Sequence, residues 1–366
     1  MARSTANRAE ARFRQLCCLG LGETVLPALF SELREIFPSL SSTFFFADSR
    51  GGFAGTCDPN APDDPARAKL FFDVFLNKRD QEIAGHSFAA AMAQVGVHDL
   101  ESSTRLDERA FSRTDMYNLI LRPTGHGPNY MRMTIRERGR GLGLIKVYRE
   151  PTDRHFSQHD KQRLARLEGF FAQALAAPAP LDAELVESGR AGQIIANIDG
   201  KPLFFSSAGR RLLLLASRTR DPPSGDFDQV LTLPPPVVRL CRQIARVAAD
   251  DLNASAPTYH CRNLWGGFTF RGQWLSGEGL QASGLVAITI THQEPKAVRL
   301  LRRIGEMPLS AREAEVCVLL VGGASFETIA DRLGISRHTA IAHGRSIYGK
   351  LEVHSRTELL SSLLPN

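Results

Sequence analysis

Between Ser336 and Leu351 the chain carries Arg337, Arg345, Lys350, His338 and His343, and no Asp or Glu. Cations without acids beside them can donate hydrogen bonds to oxyanions, and a guanidinium can pair bidentately with O6 and N7 of guanine. The bland alternative for such a stretch is a solvated helix face. Other candidate chemistry is weaker. His155 and His159 have metal-like spacing, but Ser157 between them is a capping residue, which breaks a shared helical face. Gly139-x-Gly141-x-Gly143 connects two strand-like runs and opens no helix, so it reads as a hairpin rather than a dinucleotide loop. His86, His98 and His126 could line a pocket or hold a haem, although lone histidines are more often structural. Cys17, Cys18, Cys57, Cys241, Cys261 and Cys317 contain no Cys-x-x-Cys pair and read as buried thiols of a reducing compartment, with redox sensing as the minority reading. Trp265 and Trp274 suit a core or a pocket wall. No Gly-x-Ser-x-Gly elbow or Gly-Lys-Ser/Thr phosphate loop is readable, so the sequence points away from an enzyme.

The neighbours of the cationic stretch dictate how it is held. Ser310 with Glu313, and Ser355 with Glu358, have capping-box spacing, the hydroxyl and the carboxylate each satisfying an orphan N–H. Ser325 and Ser336 are also placed as N-caps. Four helices are expected, near 310–321, 325–333, 336–350 and 355–364. On the third, Ala340, Gly344, Ile347 and Leu351 recur at i, i+4, i+7 and i+11. Burying that stripe turns Arg337, His338, Ile341, Ala342 and Arg345 outward. A short helix, the tight turn Leu-Gly-Ile-Ser and then a basic helix suit entry into a major groove.

The run from Leu309 to Glu358, with Leu-Ser-x-Arg-Glu-x-Glu-Val, Ile-Ala-x-x-Leu-Gly-Ile-Ser-x-x-Thr and Lys-Leu-x-Val-x-Ser-Arg-x-Glu-Leu, resembles the LuxR-type helix-turn-helix domain, the motif itself at about 326–345. The resemblance implies that the third helix reads base edges and the fourth forms a homodimer contact. It implies base contacts for Ile341, Ala342 and Arg345, and positions at or near the DNA backbone for Thr339, His343 and Lys350. The whole expected interface is Ser336, Arg337, His338, Thr339, Ile341, Ala342, His343, Arg345 and Lys350. Where the family usually has Thr-Val-Lys-x-His, this chain has Thr339-Ala340-Ile341-Ala342-His343, which exchanges a cation for a side chain suited to a thymine methyl. Its second helix opens Ser325-Phe326-Glu327-Thr328 rather than the usual polar Ser-Asn-Lys-Glu. Gly344 and Gly349 inside the third helix each cost about 1 kcal/mol relative to Ala. That predicts a helix weakly stable alone and firmer on DNA.

The 366 residues carry 45 Lys+Arg against 39 Asp+Glu, a net charge of +6 that permits nucleic-acid binding without requiring it. No apolar run reaches the roughly 18–20 residues of a membrane span. Met1 to Arg14 is polar and Arg-rich with no apolar stretch, so it reads as a helix leading into the first unit rather than a secretory signal. Breaks at Ala176-Ala177-Pro178-Ala179-Pro180 and at 293–308 divide the chain into units of about 1–175, 181–292 and 300–366, with a short helix expected near Val298–Ile304.

In the first unit, Val25, Leu29, Leu33 and Ile36 mark a helix, Thr43–Ala47 a strand, 130–136 and 143–148 a hairpin, and Ser157-x-x-Asp160 the cap of a closing helix. Leu70, Phe71, Val74 and Phe75 recur at helical spacing. This order, with Asp115–Pro123, resembles a GAF-type sensory fold. In the second unit, strands near 192–205 turn at Asp199-Gly200, a helix follows with Leu212–Leu215, and further strands are expected at 259–263, 267–275 and 285–291. That order resembles a PAS domain; Pro222-Pro223 and Pro234-Pro235-Pro236 mark its middle as irregular. The first unit has no Trp, unlike acyl-homoserine-lactone sensors.

The fold class expected is α+β multidomain, with GAF-like and PAS-like units followed by an all-α four-helix domain. The function expected is a cytoplasmic, homodimeric regulator of transcription that binds double-stranded DNA. It carries no cofactor or metal, touches RNA polymerase, spans no membrane and responds to a small-molecule effector. The competing expectation is a ligand- or redox-sensing protein whose C-terminal helices bind another protein.

Overall fold

A computed structural model of the protein describes residues 2–59, 67, 70–79, 83, 87–104, 106–178, 183–218, 232–250, 258–275 and 284–364. Two five-stranded antiparallel sheets precede a set of four C-terminal helices. Helices α1 (Ala2–Cys17) and α2 (Leu26–Ile36) pack together through Phe13, Leu16, Leu29 and Leu33. The first sheet holds β1 (Ser41–Ala47), β2 (Phe53–Cys57), β3 (Val97–Asp99), β4 (Tyr130–Glu137) and β5 (Arg140–Tyr148), ordered β2-β1-β5-β4-β3. Side chains alternate across a strand. Met131, Met133 and Ile135 therefore join the helical core, while Tyr130, Arg132 and Thr134 face the other way, towards a layer that includes α3 (Phe88–Ala93). The β4–β5 loop is Arg138-Gly139 with φ of 50° and 83°, the pair of positive values a two-residue hairpin needs. The glycine run there is a turn. Ser157 caps α4 (Gln158–Ala165) through the expected box with Asp160, and α5 (Glu168–Ala176) covers the sheet with Phe171.

The second sheet holds β6 (Leu185–Asn197), β7 (Pro202–Phe205), β8 (Thr258–Asn263), β9 (Gly266–Leu275) and β10 (Leu285–Pro295), ordered β7-β6-β10-β9-β8. Numbered within its own unit, each sheet reads 2-1-5-4-3. Helix α6 (Ser207–Ser217) lies so close on β6 that a Cβ at Gly192 would stand 2.2 Å from the Gly209 nitrogen, so both glycines are required there. Helix α7 (Pro235–Asp250) corrects the expectation of an irregular middle. Its prolines occupy the first turn, where the missing N–H would have no partner, and Val237, Leu240, Cys241 and Ile244 enter the core. Pro222-Pro223 lies outside the described residues.

Helix α8 (Lys296–Glu306) runs on from β10 without a loop and is longer than the 298–304 helix expected. Val298 and Leu301 enter the core of the first unit, whereas Ile304 enters that of the last. Lys296 donates its N–H to Glu184 O at 2.9 Å, and Arg299 donates to Ser188 O at 3.1 Å on the second sheet. The four helices that follow are α9 (Ala311–Val321), α10 (Phe326–Leu333), α11 (Arg337–Lys350) and α12 (Arg356–Leu363). Val316, Cys317, Ile329, Ala340, Ile347, Leu359 and Leu363 form their shared core. Among the described residues no helix is long and apolar enough to cross a membrane.

Candidate nucleic-acid interface

All four C-terminal helices begin on a serine hydroxyl. Ser310 accepts from Glu313 N–H at 3.3 Å, Ser325 from Thr328 at 3.2 Å, Ser336 from Thr339 at 3.0 Å and Ser355 from Glu358 at 3.1 Å. The reciprocal half of the box exists at Ser310, whose N–H donates to Glu313 at 2.7 Å. At the last helix it is displaced by one residue: the Glu358 carboxylate accepts from His354 N–H at 2.9 Å, so the full box expected at Ser355 is not formed. Helix α10 ends on Gly334 at φ 61°, with Ile335 N–H donating to Ala330 O at 3.0 Å, a glycine-terminated C-cap. Arg312 donates to Leu333 O at 2.6 Å and so supports the negative end of α10. Two residues after the cap, Ser336 starts α11. The turn is fixed at both ends.

Helix α11 buries Ala340, Gly344 and Ile347 and leaves Ser336, Arg337, His338, Ala342, Arg345 and Lys350 exposed. Thr339, Ile341 and His343 are half-buried at the margin. Its cations are not equivalent. Arg337 pairs with Glu327 across the turn from α10. Lys350 donates to the Glu313 carboxylate at 2.6 Å, whose other oxygen accepts from Ser346 at 2.6 Å. Glu313 is 5% exposed. Lys350, then Ser346, then the Ser310 amide hold its carboxyl down at about 2. The Arg345 side chain is exposed and forms no ion pair or hydrogen bond among the described residues. Spacing in the sequence marks Glu313 as a cap partner of Ser310; its tie to Lys350 joins residues 37 apart and leaves no local signal.

Gly344 also changes meaning. A Cβ there would lie 2.7 Å from Phe326 Cε1, whereas one at Gly349 would meet nothing within 4 Å. Gly344 is a packing requirement and Gly349 a true propensity cost. Gly349→Ala is therefore expected to stabilise the helical domain by about 1 kcal/mol. Gly344→Ala is expected to destabilise it by about 1–2 kcal/mol as the ring is displaced, and to become stabilising in a Phe326→Ala background. Denaturant midpoints of the four proteins in this cycle test the coupling; additive effects would refute it.

The other candidates stay separate from this site. His155 and His159 are exposed, and no group of three metal-ligating side chains occurs among the described residues. His126 is buried, accepting from or donating to Ser41 Oγ at 2.6 Å. His98 bonds Val95 O at 3.0 Å; His86 lies outside the described residues. Cys17, Cys57, Cys241 and Cys317 are buried, but Cys18 is exposed and Cys261 half-buried, so the expectation of buried thiols holds for four of the six. Trp274 packs against the second core, and Trp265 packs there and lines a cleft with Arg190 and His292.

A helix capped at a fixed turn and presenting an acid-free exposed face defines a helix-turn-helix DNA-binding unit. Residues 307–363 match the luxR family of bacterial regulatory proteins, and this part of the chain is a LuxR-type helix-turn-helix domain. The chain is similar to an HTH-type transcriptional regulator in the exeN 3′ region of Aeromonas salmonicida, 33% identical over 94 residues, 26% of this chain and 48% of that protein. It is also similar to the Fimbriae Z protein of Escherichia coli K12, 48% identical over 52 residues, 14% of this chain and 25% of that protein. The chain thus spans half of the first relative's length or less. Among solved structures, the phage VqmA–DPO complex is 21% identical at a TM-score of 0.18, covering 48% of this chain and 83% of that one. The Vibrio cholera VqmA–ligand–DNA complex is 16% identical at a TM-score of 0.20, covering 49% and 84%. At such scores the likeness carries no argument about architecture.

Proposed function

We propose that the protein is a sequence-specific regulator of transcription that binds a two-fold DNA site as a homodimer, controlled by a signal at its N-terminal units. The observation that carries this is the unpaired, exposed Arg345 on the acid-free face of α11 in a LuxR-type domain. Ile341, Ala342 and Arg345 face base edges. Thr339, His343 and Lys350 lie at or near the backbone, and Ser336, Arg337 and His338 complete the interface. Arg337 must exchange Glu327 for phosphate, and Lys350 must exchange Glu313. The shared 2-1-5-4-3 strand order supports reading 1–175 and 181–292 as GAF-like and PAS-like sensory units, with 300–366 as the DNA-binding domain. Dimerisation through α12 would set half-site spacing, and the protein would act in the cytoplasm beside RNA polymerase.

Those two ion pairs favour a second reading, a protein-interaction module. Selection of bound duplexes from a random pool by the full-length protein separates the two. A palindromic motif, with log K falling linearly in log salt, is expected of the regulator. No enrichment at any salt concentration would leave the interaction module.

A further inference from the structure

The face of the first sheet opposite its Met131–Met133–Ile135 core bounds a half-open cavity of about 140 Å³. Phe45, Phe88, Phe111, Tyr130 and Tyr148 supply aromatic walls. Arg132 is also in the wall and is 3% exposed. Its Nε donates to Ser103 Oγ at 2.8 Å and its Nη2 to Gln94, but buried Nη1 has no hydrogen-bond partner among the described residues. Directly across the β4–β5 ladder stands Lys146, which lines the same cavity with its ammonium 4.9 Å from the Tyr130 ring centre. No Asp or Glu is among the lining residues described.

A buried guanidinium with an unmade hydrogen bond is costly. One anionic group would supply that bond. Besides the two cations, the described walls offer only the hydroxyls of Ser87, Ser103, Thr104, Tyr130 and Tyr148, which suits a ligand with one charged end, and a cavity of about 150 Å³ accommodates a single benzene-sized ring. Building on the sensory reading of the N-terminal units, we infer that this cavity binds a small monocyclic aromatic monocarboxylate. Its carboxylate takes the free Nη1 of Arg132, and its ring lies among Phe45, Phe111, Tyr130 and Tyr148.

Calorimetric titration of the full-length protein with benzoate, and with benzyl alcohol as a neutral analogue of similar size, tests this. Benzoate is expected to saturate and to bind about tenfold or more tightly than benzyl alcohol. Arg132→Met is expected to lose that preference while still admitting the alcohol. The ligand comparison uses unmodified protein, so it decides the matter even if the variant does not fold. Equal affinity for the two ligands, or no benzoate binding up to about 10 mM, overturns the assignment. DNA selection is read separately. Benzoate binding by a protein that selects no DNA keeps the cavity assignment and removes the regulator reading; operator binding by a protein indifferent to benzoate does the reverse.

Discussion

Arg345→Ala is expected to weaken binding of the full-length protein to its selected operator by about 1–3 kcal/mol, roughly one to two orders of magnitude, and to relax specificity at one base pair. The size follows from the state of the free protein. Arg345 is exposed and has no ion pair among the described residues to give up, so what it gains on DNA is not offset by a lost intramolecular contact. Arg337 and Lys350 differ, because each exchanges one anion for another. Their substitution is expected to weaken binding less, and equally on all sequences. Competition titrations against operator and random duplexes distinguish the cases. An Arg345→Ala protein that loses affinity equally for both would place this side chain on phosphate instead of a base.

Glu313→Ala is expected to destabilise the C-terminal helices by about 2–3 kcal/mol, the sum of a lost cap partner and charged hydrogen bonds. The carboxylate joins the start of α9 to the end of α11 through Ser310, Ser346 and Lys350. The same contacts predict a pH dependence. Its carboxyl sits at about 2 in the folded protein, below the ordinary 4.5. A lowered folded value means that the contribution is complete above about 4.5 and disappears as pH falls towards 2. Glu313→Gln keeps the shape and cannot titrate. Denaturant midpoints of wild type and Glu313→Gln should therefore converge as pH falls through that window. Curves that remain parallel would show that the carboxylate contributes nothing through its charge.

The parts of the fold visible in the sequence were those set by neighbours a few residues apart. Ser310, Ser325, Ser336 and Ser355 each announce a helix because a capping hydroxyl bonds an amide three positions on. Strands β4 to β10 alternate strongly enough to read, except where burial depends on distant partners. Strand β3 has three residues, and its pairing with β4 carries no local mark. Helix α7 was obscured because Pro-Pro looks like a breaker, although in a first turn it is harmless. On α11, the exposure of Arg345 was legible from the helical spacing alone. The engagement of Lys350 by Glu313 was not, since it depends on how two helices cross. Gly344 and Phe326 each looked like a separate departure from the family pattern; packed together, the small residue makes room for the large one.

Helix α8 belongs to three neighbourhoods at once: Val298 and Leu301 to the first core, Lys296 and Arg299 to the second sheet, Ile304 to the last core. Separable modules on strings would melt one after another. A chain whose only crossing to its C-terminal helices is itself core material cannot release them without opening apolar surface elsewhere. Thermal denaturation should accordingly be shared, and a cut anywhere in 296–306 should lower the transition of the part left behind as well as that of the part removed. Cooperativity in this molecule is a property of its seam.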